Sequence, residues 1–247
     1  MSCKDLKIIA DLHCHTVASD HAYSTITELA MQSKKMELAA FACTDHTPAI
    51  GDAPHIWHFH AMKNLIPNYI EDVRVLRGAE VNILDQNGEI DLPIDILERL
   101  DCVVASIHEP AVSAPLPWGR DGITSAYMGV IQNHYVDIIG HSGSTGLEYD
   151  LDVVIPAVRD AGKAVEVNEN TFHSRPRSLE NCREIVKACK KYGTPVVVSS
   201  DAHYHLAVGK FENSIAMLHE FDFPEELIVN SSIERLRKFF SRRAISI

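Results

Sequence analysis

The chain has 247 residues, of which 46% are hydrophobic, and a formal net charge of -11. That length is normal for a single α/β barrel, and the apolar fraction supplies a substantial core. The acidic balance argues against a surface for long nucleic acids, which needs basic stripes, but small anionic substrates stay open because bound divalent cations reverse the sign locally.

Short β-branched runs alternate with amphipathic stretches along the chain. Leu6–Asp11 predicts a first strand, followed by a helix near 24–36, a strand at Ala39–Thr44 and a helix near 59–70. Strands at Val73–Val81 and Asp101–Ile107 come next, then a helix near 122–134, a strand at Val136–Gly140 and a helix near 152–161. Ala164–Asn168, a helix over 178–192 and a strand at Pro195–Ser200 complete the series. In the last helix Cys182, Ile185, Val186 and Cys189 recur at helical spacing, with Glu184, Lys187 and Lys190 between them; Gly193-Thr194-Pro195 stops it. The tail, Ile233–Ile247 with Leu236, Phe239 and Phe240, reads as a covering helix or an interface.

Such alternation predicts parallel strands joined by crossover helices. An open doubly wound sheet is one solution; a barrel close to the (β/α)8 type, short by one unit, is the other. The barrel is favoured because histidine and acidic residues stand at the C-terminal ends of successive strands, which a barrel gathers at one mouth. These are His13 and His15, Asp45 and His46, Glu80, His108, His141, Asn168 and Glu169, and Asp201 and His203. His13 and His15 flank Cys14 and share one side of a strand while the thiol points away. Asp201 and His203 share a side if their strand stays extended. No linker divides the chain, so one domain over 1–247 is expected.

The six cysteines form no CxxC pair and read as free thiols in a reducing compartment. No signal peptide and no stretch of membrane-spanning length is seen, so a soluble cytoplasmic protein without a membrane partner is expected. His13, His15, His21, His46, Glu80, His108, His141, Asp201 and His203 are too many donors for one tetrahedral ion and suit two or three ions sharing a bridge. Glu80 is the natural bridge, since a carboxylate offers two oxygens and an imidazole one free nitrogen.

Asp11-Leu12-His13-Cys14-His15-Thr16, Thr44-Asp45-His46, Gly78-Ala79-Glu80, His108, His141 and Asp201-Ala202-His203 resemble the PHP (polymerase and histidinol phosphatase) superfamily over nearly the whole chain. Thr16–Ser24, Asp52–Phe59, His108-Glu109-Pro110 and Asn181-Cys182-Arg183-Glu184 are similar to its small stand-alone phosphatases of the YcdX-like type. The resemblance implies a distorted seven-stranded (β/α)7 TIM-like barrel with a trinuclear site, usually described with zinc. It implies one metal on His13, His15, Glu80 and Asp201, a second on Glu80, His108 and His141, and a third on His21, His46 and His203. Gly140-His141-Ser142-Gly143 departs from the family, which often has proline after the histidine.

Three divalent ions bring six positive charges, against two from Glu80 and Asp201, and a phosphate with a hydroxide meets the excess. The expected activity is hydrolysis of a small phosphomonoester by a metal-bound hydroxide, with Glu80 and Asp201 in the catalytic centre and Arg175 on the phosphate. Arg177 is a weaker candidate for the same role. Zinc suits the histidine-rich set, and manganese or iron(II) takes the same donors. An amidohydrolase-type enzyme, a phosphodiesterase acting on short nucleotides and a metal-binding protein without activity are the alternatives. The substrate's identity, the general acid and the oligomeric state are not legible. His55, His58 and His60 beside Trp57 line an entrance or pack as an aromatic loop. His134, His173, His205 and His219 read as surface or capping residues. Asp45, next to His46 on its strand, faces away from it, leaving an outer role.

Overall fold

A computed structural model describes residues 6–113 and 115–243. Cys3 and the end of the tail, 244–247, therefore lie outside the described residues. In chain order the elements are β1 (Ala10–Cys14), α1 (Ile26–Lys35), β2 (Ala40–Cys43), α2 (Trp57–Leu65), β3 (Tyr69–Ile70), β4 (Val73–Asn82) and α3 (Ile94–Leu97). They continue with β5 (Cys102–Ser106), α4 (Gly119–Ile131), β6 (Ile138–Ile139), α5 (Leu151–Asp160), β7 (Ala164–Asn168) and α6 (Thr171–Ser174). The last are α7 (Leu179–Tyr192), β8 (Val196–Ser199), α8 (Glu212–Glu220) and α9 (Ile233–Phe239). The strands pair in parallel in the order β1-β2-β4-β5-β6-β7-β8, with the two-residue β3 antiparallel to β4. All seven predicted strands are present; β3, α8 and two short helices, α3 and α6, were not foreseen.

The sheet curls into a nearly closed, distorted (β/α)7 barrel rather than an open sheet. Strand alternation explains what fills it. Ala10, Ala42, Leu76, Val104, Ile138 and Val197 form one buried cluster inside, while Phe41, Val75, Val103, Ile139, Val165 and Val198 face the helices. Each inward row turns polar near the strand's C-terminal end. Leu76 is followed by Gly78, Glu80 and Asn82, and Val104 by Ser106 and His108. Ala164 is followed by Glu166 and Asn168, and Val197 by Ser199.

β1 carries an irregularity that matters. Its register with β2 passes from Asp11 opposite Phe41 to Cys14 opposite Cys43, three steps against two. Ala10 and Leu12 both belong to the interior cluster while Cys14 packs outside. This bulge turns His13 and His15 towards the mouth, as bulges beside functional sites commonly do.

The seam between β1 and β8 is only partly laddered. His15 N–H donates to Ala202 O at 2.9 Å, and Ser200 N–H to the buried Asp11 Oδ1 at 3.0 Å. Lower down, the fully buried Asn230 stitches the two strands with its side chain. Its Nδ2 donates to Ala10 O at 2.7 Å and Val198 O at 2.6 Å, and its Oδ1 accepts from Val198 N at 3.1 Å. The tail covers the barrel floor: Leu236 and Phe240 enter the interior cluster, so its described part is a covering helix. Arg242 and Arg243 fasten it to the buried Asp137.

Candidate metal centre

Glu80 sits at the middle of the mouth, fully buried, with imidazoles around both oxygens. Its Oε1 lies 2.9 Å from His141 Nε2 and 3.4 Å from His108 Nε2. Its Oε2 lies 3.0 Å from His46 Nδ1, 3.3 Å from His13 Nε2 and 3.6 Å from His15 Nε2. Ser106 Oγ donates to Oε1 at 2.6 Å. That approach needs Gly140 on the neighbouring strand, where a Cβ would stand 2.2 Å from Ser106 Oγ.

Asp201 closes the other side. Its Oδ1 lies 3.2 Å from His15 Nε2, 3.7 Å from His13 Nε2 and 3.6 Å from His203 Nδ1. Its Oδ2 accepts from Asn168 Nδ2 at 3.1 Å and Arg175 Nη2 at 3.2 Å. The extended strand expected through Asp201 and His203 is not found. β8 ends at Ser199 and Asp201 takes a left-handed φ of 51°. This bend, tolerable for an aspartate, brings both side chains to the centre. His141 also has a positive φ, 21°.

His21 stands on the loop after β1, where its Nδ1 is hydrogen bonded to Asp52, and its side chain is about half exposed. Its ring centroid lies 4.5 Å from that of His203 and 5.1 Å from that of His46. His46 is the junction. Its ring nitrogens fall within ligand range of His15 and His203, of Glu80 and His108, and of His21 and Asp52. The nine predicted residues thus meet in one mouth.

A second ring of residues orients these imidazoles, as metal-site histidines require. Glu166 Oε1 lies 2.7 Å from His13 Nδ1, and its Oε2 accepts the His141 backbone N–H at 2.6 Å. Asn82 Oδ1 lies 2.8 Å from His108 Nδ1. Asp45 faces away from its neighbour His46 and anchors the loop that carries His21. It accepts from Thr16 N at 2.7 Å, Thr16 Oγ1 at 2.8 Å and Ser19 Oγ at 2.9 Å, and pairs with His58 Nε2 at 3.3 Å. Glu169 leaves the site to cap α8, accepting from Asn213 N at 3.1 Å and Ser214 N at 2.7 Å. Sequence reasoning missed Glu166, Asn82 and Asp52. For Glu166 a signal existed, a lone charge inside the apolar run Ala164–Asn168.

Electrostatics fit a cation centre. Burial opposes charge on Glu80, yet His13, His108 and His46 hold its carboxyl well below the usual range. Asp201 is likewise held low against burial by His13 and His15. Burial, then the neighbouring His46, pushes His15 down to about 3. Asp45, despite burial, is drawn to about 2 by His58 and His15. His13 Nε2, both nitrogens of His15, His46 Nδ1 and Glu80 Oε2 are buried without a hydrogen-bond partner. Orphaned polar atoms of this kind are costly unless something satisfies them, and imidazole nitrogens converging on carboxylates are the donor set of divalent transition metals. The residues fit the ions.

A parallel β/α barrel with such a mouth defines a metal-dependent hydrolase. Residues 11–170 match the PHP domain. The chain is 39% identical over 238 residues to a probable phosphatase of Acetivibrio thermocellus, covering 96% of this chain and 97% of that one. Among solved structures it is similar to a histidinol phosphate phosphatase from Lactococcus lactis complexed with zinc, L-histidinol and phosphate. The TM-score there is 0.59 at 14% identity, covering 98% and 95% of the two chains. A chain in an archaeal ribonuclease P complex with mature tRNA gives 0.60 at 16% identity, covering 94% and 90%. These two likenesses concern the fold. The chain belongs to the PHP domain family.

Proposed function

We propose that the protein is a phosphatase that hydrolyses small phosphomonoesters at a centre of three divalent metal ions, with all 247 residues forming one hydrolase domain. The observation that carries this reading is the division of Glu80: one oxygen faces His108 and His141, the other His13, His15 and His46. That is how a carboxylate shared between two ions is disposed. His13, His15, Glu80 and Asp201 would hold one ion, Glu80, His108 and His141 a second, and His21, His46 and His203 a third. The curated relatives named as probable phosphatases support the reaction class.

When bound, the ions supply positive charge for the phosphoryl oxygens and acidify a water towards neutrality, with zinc suiting the donors and manganese or iron(II) compatible with them. Arg175, whose Nη2 holds Asp201 and whose buried Nε has no partner, offers a donor to a phosphate oxygen. Among the described residues, the hydroxyls and thiol nearest the centre are already engaged. Ser106 is committed to Glu80 and Ser199 to Glu166, and Cys14 packs in the outer core, its thiol pushed well up by burial. That arrangement supports direct attack by water without a covalent enzyme intermediate. A cavity of about 600 Å³ opens beside Asp201 and His203, between Tyr23 and Tyr204, and accommodates the organic part of a small ester. The free thiols Cys14, Cys43, Cys102, Cys182 and Cys189 support a reducing, cytoplasmic setting, and no helix among the described residues is long and apolar enough to cross a membrane.

The test is elemental analysis of protein purified without chelators, with p-nitrophenyl phosphate turnover assayed on the same sample. About three ions per chain and chelator-sensitive turnover are expected. One or two ions without phosphatase activity would move the reading to an amidohydrolase-type enzyme.

A further inference from the structure

The loops after β6 and β7 flank a second, open pocket at the barrel mouth, about 320 Å³, lined by Ser144, Thr145, Ser174, Arg175, Arg177 and Ser178. Apart from Pro176, its side chains are hydroxyls and guanidinium groups, with no carboxylate in the lining. Thr145 N–H donates to Ser178 Oγ at 3.0 Å, and Thr145 Oγ1 stands 3.2 Å from the same oxygen, which fixes the two loops against each other.

Arg175 is the wall between this pocket and the metal centre, because the residue that lines the pocket also places Nη2 3.2 Å from Asp201 Oδ2. Arg177 has no ion pair or side-chain hydrogen bond among the described residues. Like the exposed Lys35, Lys63, Lys210 and Lys238 it has no carboxylate partner among the described residues, but Arg177 alone of these stands with a second guanidinium, that of Arg175, among hydroxyls in one pocket. Guanidinium and hydroxyl groups together are donors for phosphate or carboxylate oxygens.

We propose that this pocket receives a second anionic group, a phosphate or a carboxylate, carried by the same molecule whose phosphomonoester is cleaved at the Glu80–Asp201 centre. The inference rests on the phosphatase reading and narrows it: the substrate class is a phosphate ester bearing a second anion. The rival location for that anion is Lys210, on the larger cavity. That lining also holds Glu169 and Glu212 and is less suited to negative charge.

The experiment compares kcat/KM at constant ionic strength for two matched pairs: 3-phosphoglycerate against glycerol 3-phosphate, and propane-1,3-diol bisphosphate against propyl phosphate. The wild type is expected to favour the two-anion member by about tenfold or more, as a charge-assisted contact allows. Arg177→Ala should remove most of that preference through KM, Arg177→Lys restore part of it, and Lys210→Ala retain it. A preference in only one pair identifies the second group as carboxylate or phosphate.

Equal kcat/KM within both pairs, a preference that survives Arg177→Ala, or one lost in Lys210→Ala instead, overturns the proposal. If the metal-loaded wild type cleaves no ester, the phosphatase reading fails and the substrate class fails with it. Calorimetric titration of inorganic phosphate into chelator-treated protein then judges the pocket alone. Binding lost in Arg177→Ala keeps it as an anion site, and equal or absent binding removes it.

Discussion

Glu166 holds His13 from behind, its Oε1 2.7 Å from Nδ1, so that the Nε2 of the same ring is turned towards Glu80 and Asp201. With its other oxygen it accepts the backbone N–H of His141, joining two sides of the centre through one buried carboxylate. Glu166→Gln should therefore keep the fold but lose orientation and basicity at His13. Metal affinity or turnover should fall by about 10–100-fold, the usual cost of losing such a partner. Elemental analysis after dialysis at graded metal concentration reads this, and unchanged retention would count against the role.

Glu80→Ala removes the carboxylate shared by five imidazoles. Metal content should drop by at least one ion per chain and turnover by more than about 100-fold, exceeding the cost of a supporting residue. Full metal content and turnover in this variant would sink the bridging assignment.

Chelation should destabilise the protein as well as silence it. Neighbouring imidazoles lie with ring centroids 4.3–6.2 Å apart, and several of their buried nitrogens have no protein partner. Ions that bind only the folded chain stabilise it by about 4 kcal/mol at a thousandfold excess over Kd. A lowered Tm after chelator treatment, restored by zinc, is the expected result. A Tm indifferent to chelator would mean that the donors hold nothing.

Asn230→Ala should cost roughly 3–5 kcal/mol. It strands Ala10 O, Val198 O and Val198 N–H in the buried seam, each worth about 1–3 kcal/mol when unsatisfied. Urea denaturation measures the loss. A change below about 1 kcal/mol would show that the seam holds without the stitch.

Lys163 gives a pH dependence away from the centre. It is buried with Nζ 2.7 Å from Asn133 O and 2.6 Å from Val136 O, and burial, then Arg242, lowers its pKa from 10.5 to about 8. The folded-state pKa lies below the unfolded one, so between these values the unfolded chain binds more protons and stability rises with pH. The stability of the wild type relative to Lys163→Met should grow by up to about 3 kcal/mol across that window. A difference that stays flat with pH would contradict the shift.

The strands were legible because a two-residue period and β-branched runs survive in the sequence, as Ala164–Asn168 shows by matching β7 residue for residue. Glu80 and the histidines were legible because charge at the end of an apolar run has few structural uses. The bulge in β1 was hidden, since no residue type marks it and only the register of Asp11 and Cys14 against β2 reveals it. The spacing of Asp201 and His203 suggested proximity for the wrong reason: a left-handed backbone, rather than an extended one, brings them together. Asn230 was invisible because its role depends on two strands about 30 and 220 residues away.

The stitch at Asn230 also ties the two halves of the donor set together. His13 and His15 lie on one side of the seam, Asp201 and His203 on the other, and the residue that joins the lower part of the seam follows all of them in the chain. Contacts across such sequence separations form late, after the entropy of closing a long loop has been met. The donors around Glu80 all precede residue 142, whereas Asp201 and His203 meet them only across the seam that Asn230 joins. The Asp201 side of the centre is thus set in place by barrel closure, so the choice of metal by the full donor set depends on a seam held by an amide far below it.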